Sequence, residues 1–252
     1  MIPDLLIALA AALIAGFINA VAGGGTLVSF PVLMLLGLPP LTANITNTVA
    51  LCPGYIGGVI AQRKDFAAQK SRLLAILPLS MLGGIAGGLI LLNTGEKAFD
   101  GIVPYLIFLA CILLAIQVPV KRWMMERAGH KHITLIKRIG SAVLLFLASV
   151  YGGYFGAGVS VIVIAILGLI YDDSLTSLNV LKQAISFSIN ISAALYFSFS
   201  GKVDWLFALV MMVGAVAGGL LGGKFAGSIK PGVLRWIVIV TGCAAAVIYL
   251  LR

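Results

Sequence analysis

Long apolar segments separated by short polar ones dominate this chain. A membrane-spanning helix needs about 20 consecutive apolar residues, and eight segments reach that length: 4–37, 41–61, 71–93, 99–119, 139–171, 174–200, 203–224 and 231–251. Six of them have the length of one span, whereas the first and the fifth are too long for one. The pattern predicts an all-α fold, namely a polytopic membrane helical bundle.

Glycines interrupt the two over-long segments. The first break comes at residues 22–26 and the second at residues 152–158. Non-helical backbone persists inside a bilayer only where it is buried in protein or lines a cavity. Matched interruptions in two halves of a chain are typical of a transporter binding site, although glycine also allows two helices to cross closely.

The order of the segments repeats along the chain. One broken segment and three plain ones are followed by a basic stretch and then by the same order again. We therefore predict a first transmembrane repeat at 1–119, a basic cytoplasmic linker at 120–138 and a second transmembrane repeat at 139–252. Short matches in the same order support the repeat: Gly23 with Gly156, Asn44 with Asn179, and Ala86-Gly87-Gly88 with Ala217-Gly218-Gly219.

Basic residues constrain the topology and leave two versions open. The basic stretches at 62–72 and 120–138 are two spans apart and belong on one side, which the positive-inside rule makes cytoplasmic. If each broken segment crosses the membrane once, the chain has eight spans, parallel repeats and both termini inside. If each crosses twice, it has ten spans, inverted repeats and both termini outside. Lys224 and Lys230 favour ten spans, since that version puts their loop inside.

Composition and charge agree with a membrane protein. The chain is 61% apolar and 10% charged, whereas soluble domains carry about 25% charged residues. The formal net charge is +9, but the basic residues concentrate in short loops and not on a basic face with a nucleic-acid-binding motif. We therefore expect a multi-pass protein of a bacterial-type inner membrane, with the lipid bilayer as a partner and without nucleic acid.

Both glycine breaks offer hydrogen-bond donors to an anion. A helix that begins after a glycine run presents free N–H groups and the positive end of its dipole, and glycine lets a ligand approach the backbone. A hydroxyl side chain follows each run. The candidate substrate-binding residues are Gly23, Gly24, Gly25 and Thr26 in the first half and Gly156, Gly158 and Ser160 in the second.

A polar stripe follows each break on the next segment. Its members are spaced by 3, 4, 7 or 11 residues and so share one helical face, which should point to the bundle interior or to water. Hydrogen bonding between helices for assembly is the alternative role. The candidates are Asn44, Asn47 and Thr48 in the first stripe, which Tyr55 extends, and Lys182, Gln183, Ser186 and Asn190 in the second, which begins at Asn179.

Lys182 is the basic residue that lies clearly inside a predicted span. A charge at such a depth costs about 2.5–3.5 kcal/mol on insertion scales, and no carboxylate shares its stripe. A lysine without a fixed partner is a candidate to hold an anionic substrate. The alternative is an ion pair at the membrane interface with Asp172 or Asp173.

Other chemistry finds little support in the sequence. All eight acidic residues fall in loops or at segment ends, so we expect no buried carboxylate relay. The membrane potential, about 2.3 kcal/mol per charge per 100 mV, favours anion export without one. The three cysteines lie singly in apolar segments, and His130 and His132 lie in the basic linker. We expect no disulfide, metal, cofactor or enzymatic activity.

Several short motifs resemble one known family. They are the glycine-broken first segment with Ser29-Phe30-Pro31, Leu36-Gly37-Leu38-Pro39, the stretch from Ala43-Asn44 to Thr48, Leu178-Asn179-Val180-Leu181-Lys182-Gln183, Gly201-Lys202-Val203-Asp204-Trp205, and Ala217 to Gly223. Over essentially the whole chain they resemble the sulfite exporter family TauE/SafE. The resemblance implies transport of a sulfur-containing anion such as sulfite, sulfoacetate or another organosulfonate. The second break departs from the family pattern because its run Gly156-Ala157-Gly158 is less rich in glycine.

We therefore predict a secondary transporter that exports a small anion by alternating access, with its site near the midplane between the repeats. Backbone and hydroxyl donors of the breaks would bind the anion, Lys182 would supply the charge, and the polar stripes would line the path. An anion channel on the same scaffold and a non-transporting membrane assembly factor are the alternatives. The sequence leaves open which anion is carried, the coupling ion, the direction in the cell and whether the protein forms a homo-oligomer.

Overall fold

The computed structural model describes residues 1–56, 69–126, 135–171, 173–225 and 231–251. Over these residues the chain is helical with connecting loops and has no strand. The named helices are α1 (Ile2–Val21), α2 (Thr26–Leu35), α3 (Pro40–Leu51), α4 (Lys70–Thr94), α5 (Glu96–Glu126), α6 (Leu135–Tyr154), α7 (Val159–Ile170), α8 (Leu175–Ser198), α9 (Trp205–Phe225) and α10 (Pro231–Leu250). By length and composition, six of the described helices can cross a membrane: α1, α4, α5, α8, α9 and α10. The prediction of an all-α membrane fold is confirmed.

Each over-long segment forms two helices. The first break leaves residues 22–25 between α1 and α2, and the second leaves residues 155–158 between α6 and α7. The prediction that Gly152 and Gly153 belong to the second break is wrong, because both are helical. A Cβ added at Gly153 would collide with the backbone of Gly84 on α4. This glycine therefore serves a close helix crossing.

Two helix pairs pack backbone against backbone through glycine. On α9, Gly214, Gly218 and Gly222 recur every four residues, and a Cβ at each would meet the backbone of α1. On α4, Gly83 and Gly87 meet α6 in the same way. The contact points advance along both members in the same order, so each pair is parallel. Each pair joins a helix of the first half to a helix of the second.

One end of the bundle, here called the Glu96 end, gathers several helix ends. The Leu41 amide, near the start of α3, donates to Glu96 Oε1 at 2.9 Å. Tyr249, near the end of α10, bonds through its hydroxyl to Asp100 near the start of α5. The start of α9 lies close to α3, because the backbone amide just before α9 donates to a threonine hydroxyl of α3 at 3.0 Å. Because α1 runs parallel to α9, α1 also begins at the Glu96 end.

The first broken segment turns back at its glycines. α1 leads away from the Glu96 end, and α2 then packs along α10 in a direction parallel to it. A Cβ at Gly242, in the middle of α10, would lie 3.6 Å from Leu27 at the start of α2. α2 therefore returns toward the Glu96 end.

The second broken segment turns back in the opposite sense. α6 runs parallel to α4, and the Tyr154 hydroxyl at its end donates to Thr94 at 3.4 Å, so α6 ends near the Glu96 end. α7 then returns to the other end, here called the Arg72 end. There the Arg72 guanidinium lies 4.5 Å from the centre of the Tyr171 ring.

The basic stretch between the halves is partly helical. α5 continues to Glu126, beyond the predicted end of its segment at 119, and α6 begins at Leu135. Lys121 and Arg122 therefore lie on α5. Several residues used in the sequence interpretation lie outside the described residues: Arg63, Lys64, His130, His132, Asp172 and Lys230.

Candidate functional site

The two glycine breaks meet around a small cavity, here called the central cavity. A Cβ added to Gly23 would lie 2.8 Å from the Ser160 hydroxyl oxygen. The cavity volume is about 20 Å³, which is room for about one water molecule. Its wall is formed by Asn19, Gly23, Gly24, Thr26, Tyr55, Gly156, Gly158, Val159, Ser160, Lys182, Gln183 and Ser186.

Positive backbone angles require glycine at the first break. Gly23 and Gly24 have φ angles of +83° and +92°, a region that residues with a Cβ rarely adopt. These angles let the chain reverse within four residues. The Gly25 amide then donates to Asn19 Oδ1 at 2.7 Å. A side chain of α1 thus satisfies a backbone donor and fixes the path of the break.

Glycines with positive φ angles also form the second break. Gly156 and Gly158 have φ angles of +79° and +78°. The Tyr151 hydroxyl, on the preceding helix, donates to the Ala157 carbonyl at 2.7 Å. In both breaks, a polar side chain from the incoming helix therefore bonds the reversed backbone and holds it in one conformation.

Two helices begin at the central cavity, each with a free backbone donor. α2 starts at Thr26 and α7 starts one residue before Ser160. Neither the Thr26 amide nor the Ser160 amide donates to an acceptor in the parts of the chain that the structure describes. Helix starts carry partial positive charge. The two halves therefore each present a free amide donor at a helix start beside the cavity.

One face of α8 completes the wall. Lys182, Gln183 and Ser186 reach the cavity from this helix. The Ser186 hydroxyl oxygen is buried and has no hydrogen-bond partner among the described residues. A buried polar group without a partner is costly. This wall therefore retains hydrogen-bonding capacity for a ligand or for water.

Lys182 brings a positive charge to the wall without a fixed partner. Its side chain makes no ion pair or hydrogen bond within the described ranges. Asp173, one of the two carboxylates that the sequence offered as a partner, pairs instead with Arg72. Asp172 lies outside the described residues. The charge of Lys182 is thus available to an anion in the cavity.

Nine of the 14 predicted site residues line the cavity, and the other five do not. The Gly25 amide already donates to Asn19 Oδ1. The Asn44 amide nitrogen donates to the Tyr154 carbonyl at 2.9 Å, which ties α3 to the second break. The remaining three are Asn47, which is buried, and Thr48 and Asn190, which bond carbonyls of their own helices at 2.9 and 2.8 Å.

Three wall residues were absent from the predicted set. Tyr55 belonged to the first polar stripe but was not included in the site. Asn19 is an isolated polar residue one turn before the first break, and this position was the signal available in the sequence. Val159 is apolar and carries no such signal.

The central cavity is lined by groups that can bind a ligand. Its wall contains no His, Cys, Asp or Glu, and no group of three or more such residues that could hold a metal occurs in the described part of the chain. Its polar groups are mainly amide and hydroxyl donors around one ammonium group. This set matches a small anion.

Comparisons with known proteins identify the family. A sequence model described as sulfite exporter TauE/SafE matches residues 8–249. A probable membrane transporter protein of Sinorhizobium, ORF9, is 26% identical over 94% of this chain and 88% of its own length. A probable membrane transporter protein of Haemophilus influenzae is 27% identical over 90% and 87%, and YfcA of Escherichia coli, also a probable membrane transporter protein, is 26% identical over 93% and 86%. No solved structure matches the chain.

The match spans nearly the whole chain, and its bacterial relatives carry the names of membrane transporters. Together with the apolar helices, this makes the protein a multi-pass transporter of the bacterial inner membrane. The chain belongs to the sulfite exporter TauE/SafE family.

Proposed function

We propose that the protein exports a small anion, namely sulfite, sulfoacetate or another organosulfonate, and that the central cavity is its binding site. The observation that carries the proposal is the meeting of both glycine breaks and Lys182 around one cavity. Two free helix-start amides and one unpaired ammonium group supply positive potential there. The family description supports a sulfur anion, whereas the geometry supports only an anion.

Inverted repeats are part of this proposal. Each broken segment runs out and back, and the two do so from opposite ends of the bundle. The tight pairing of α1 with α9 corresponds to that of α6 with α4, because each joins the first helix of one half to the fourth named helix of the other. These relations support ten crossings, with the basic Arg72 end in the cytoplasm and the Glu96 end outside.

We also propose alternating access, which the small size of the cavity supports. A volume of about 20 Å³ admits about one water molecule, so a larger anion binds only when the cavity widens toward one side. The tight glycine contacts cross between the two halves. We therefore propose that the α1–α9 pair and the α4–α6 pair are the bodies that move, and not the two halves of the sequence.

Uptake of radiolabelled sulfite into proteoliposomes, with and without an imposed membrane potential, tests the proposal. We expect saturable uptake that responds to the potential and that sulfonates reduce by competition. Uptake that neither saturates nor shows counterflow would indicate a channel. Folded protein without uptake of sulfite or of any sulfonate would overturn the proposal and favour the assembly-factor alternative.

A further inference from the structure

A second set of basic residues lies between the central cavity and the Arg72 end. On α5, Leu114 contacts the first break and Gln117 donates to the Ala22 carbonyl at 3.2 Å. Lys121 follows one turn later. Positions 114, 117 and 121 share one helical face, so Lys121 lies beyond the first break on the buried face of α5.

Arg235 faces the same region from α10. It shares a helical face with the buried residues Val238 and Ile239 and with Gly242, and this face packs against α5, where Gly242 meets Cys111. The Arg235 Nε atom is buried and has no hydrogen-bond partner among the described residues. A long cationic side chain is thus held between two helices with a donor unused.

Lys121, Arg235 and Lys182 form one group of neighbouring positive charges. Lys121 lies within range of the charges of both Arg235 and Lys182. No described acidic side chain pairs with any of them, since the ion pairs in the described ranges are Met1 with Asp4 and Arg72 with Asp173. Partly buried like charges repel one another and lose solvation. Their grouping is favourable when an anion joins them.

Building on the proposed function, we propose that Lys121 and Arg235 form an anion-binding site on the cytoplasmic access route, from which an oxyanion passes to Lys182. A planar guanidinium binds two oxygens of a sulfite, sulfonate or carboxylate group at once, and an ammonium group adds a mobile point charge. The site raises the local concentration of substrate next to the central cavity.

The chemistry of a lipid phosphate resembles that of the substrate, because basic pockets between membrane helices also bind anionic headgroups. The test must therefore separate the two sources. Vesicles made only of phosphatidylcholine contain no anionic lipid, whereas vesicles with added cardiolipin do. A substrate site acts in both kinds of vesicle.

The experiment compares Lys121→Gln, Arg235→Gln and the matched control Arg122→Gln, whose side chain is exposed on the same helix as Lys121. Sulfite flux is measured in phosphatidylcholine proteoliposomes with and without added cardiolipin, and its sidedness in inverted and right-side-out membrane vesicles. For each of the first two variants we expect the half-saturating sulfite concentration on the cytoplasmic side to rise about tenfold. The maximal rate stays within about twofold, the dependence on salt weakens, and Arg122→Gln matches the wild type.

Several results would overturn the inference. One is a half-saturating sulfite concentration that neither variant changes, and another is an equal rise on both sides of the membrane. A rise confined to vesicles with cardiolipin would indicate a lipid site. Arg235→Lys keeps the charge but loses the two-oxygen contact, so its half-saturating concentration should lie between those of the wild type and Arg235→Gln, which guards against loss of folding in Arg235→Gln. If the wild type carries no sulfite, the proposed function fails, and sulfite binding to detergent-solubilised protein that Arg235→Gln removes would still decide this site.

Discussion

At the scale of single residues, the proposed anion site depends most on the charge of Lys182. Its ammonium group lines the central cavity and has no partner in the described structure. A charged hydrogen bond contributes about 1.5–3 kcal/mol, which corresponds to at least about tenfold in affinity. The neutral wall groups cannot replace this contribution.

We expect Lys182→Met to reduce sulfite flux in proteoliposomes at least about tenfold. The apolar replacement removes an unpaired charge from the bundle interior, so the melting temperature in detergent should stay level or rise. Lys202→Met, at an exposed loop position, is the control and should transport normally. Unchanged flux in Lys182→Met would exclude this lysine from the site, and a misfolded variant would make it structural.

A glycine of the breaks permits a positive φ angle and also leaves space in the cavity. Alanine variants at Gly23 and Gly37 separate these two roles. Gly23 and Gly37 have similar φ angles of +83° and +94°. A Cβ at Gly23 enters the cavity beside Ser160, whereas one at Gly37 meets nothing within 4 Å. Both alanine variants should lose about 1–2 kcal/mol of stability.

Only Gly23→Ala should also abolish sulfite transport, since its methyl group occupies space that the anion needs. Melting temperature and flux, measured on the same preparations, check this expectation. Equal loss of flux in Gly37→Ala would mean that general destabilisation and not a filled cavity explains the effect.

At the scale of helices, glycine serves two purposes that the sequence alone does not distinguish. The first break was predicted one residue too long, since Thr26 begins α2, whereas Gly152 and Gly153 were wrongly assigned to the second break. Small residues suit both a reversed loop and a close helix crossing, and the difference lies in the sign of φ and in what the missing Cβ would meet. Those facts depend on partners such as Gly84, which is distant in sequence.

The residues that line the central cavity could be predicted from the sequence better than the helix boundaries could. Local pattern was sufficient for the cavity-lining glycines of the breaks, for Lys182 and for Ser186, because each is a polar or glycine interruption in apolar sequence. Asn44 and Thr48 carry the same pattern, but their polar groups bond Tyr154 and the carbonyl of their own helix. Which members of a polar stripe face a cavity depends on helix rotation, and tertiary packing sets that rotation.

The α1–α9 contact should be the part of the bundle least tolerant of added volume. A Cβ at Gly218 would collide with the backbone of α1 at Leu13, and overpacking costs about 1–3 kcal/mol. Gly101, on α5, has open space in the same position, so alanine there gains up to about 1 kcal/mol of helix propensity.

We therefore expect Gly218→Ala to lower the melting temperature in detergent and Gly101→Ala to leave it level or raise it. Thermal unfolding followed by light scattering or intrinsic fluorescence measures both. A Gly218→Ala protein as stable as the wild type would show that the two helices separate easily, and it would weaken the proposal that they move as one body.

At the scale of the whole molecule, the two versions of the topology differ in where two loops lie. With ten crossings, Lys202 is outside and Lys224 is inside, whereas eight crossings exchange them. Lys97 is outside and Arg122 inside in both versions, and all four side chains are exposed. Single cysteines at these positions, in a background without Cys52, Cys111 and Cys243, distinguish the versions.

We expect a membrane-impermeant thiol reagent to label Lys97→Cys and Lys202→Cys in intact cells. Arg122→Cys and Lys224→Cys should react only after permeabilisation. Labelling of Lys224→Cys but not of Lys202→Cys in intact cells would establish eight crossings and remove the inverted repeat from the proposed mechanism.

Even when it widens to admit an anion, the central cavity leaves little room for a hydration shell, because its volume before widening is about 20 Å³, enough for about one water molecule. One ammonium group and two helix starts compensate for that loss. Their attraction grows in proportion to the charge of the ion, whereas the cost of dehydration grows with the square of that charge. Anions that release water readily therefore bind ahead of those that hold it firmly. We expect selectivity to follow dehydration energy, with a singly charged sulfonate preferred to a doubly charged oxyanion of similar size.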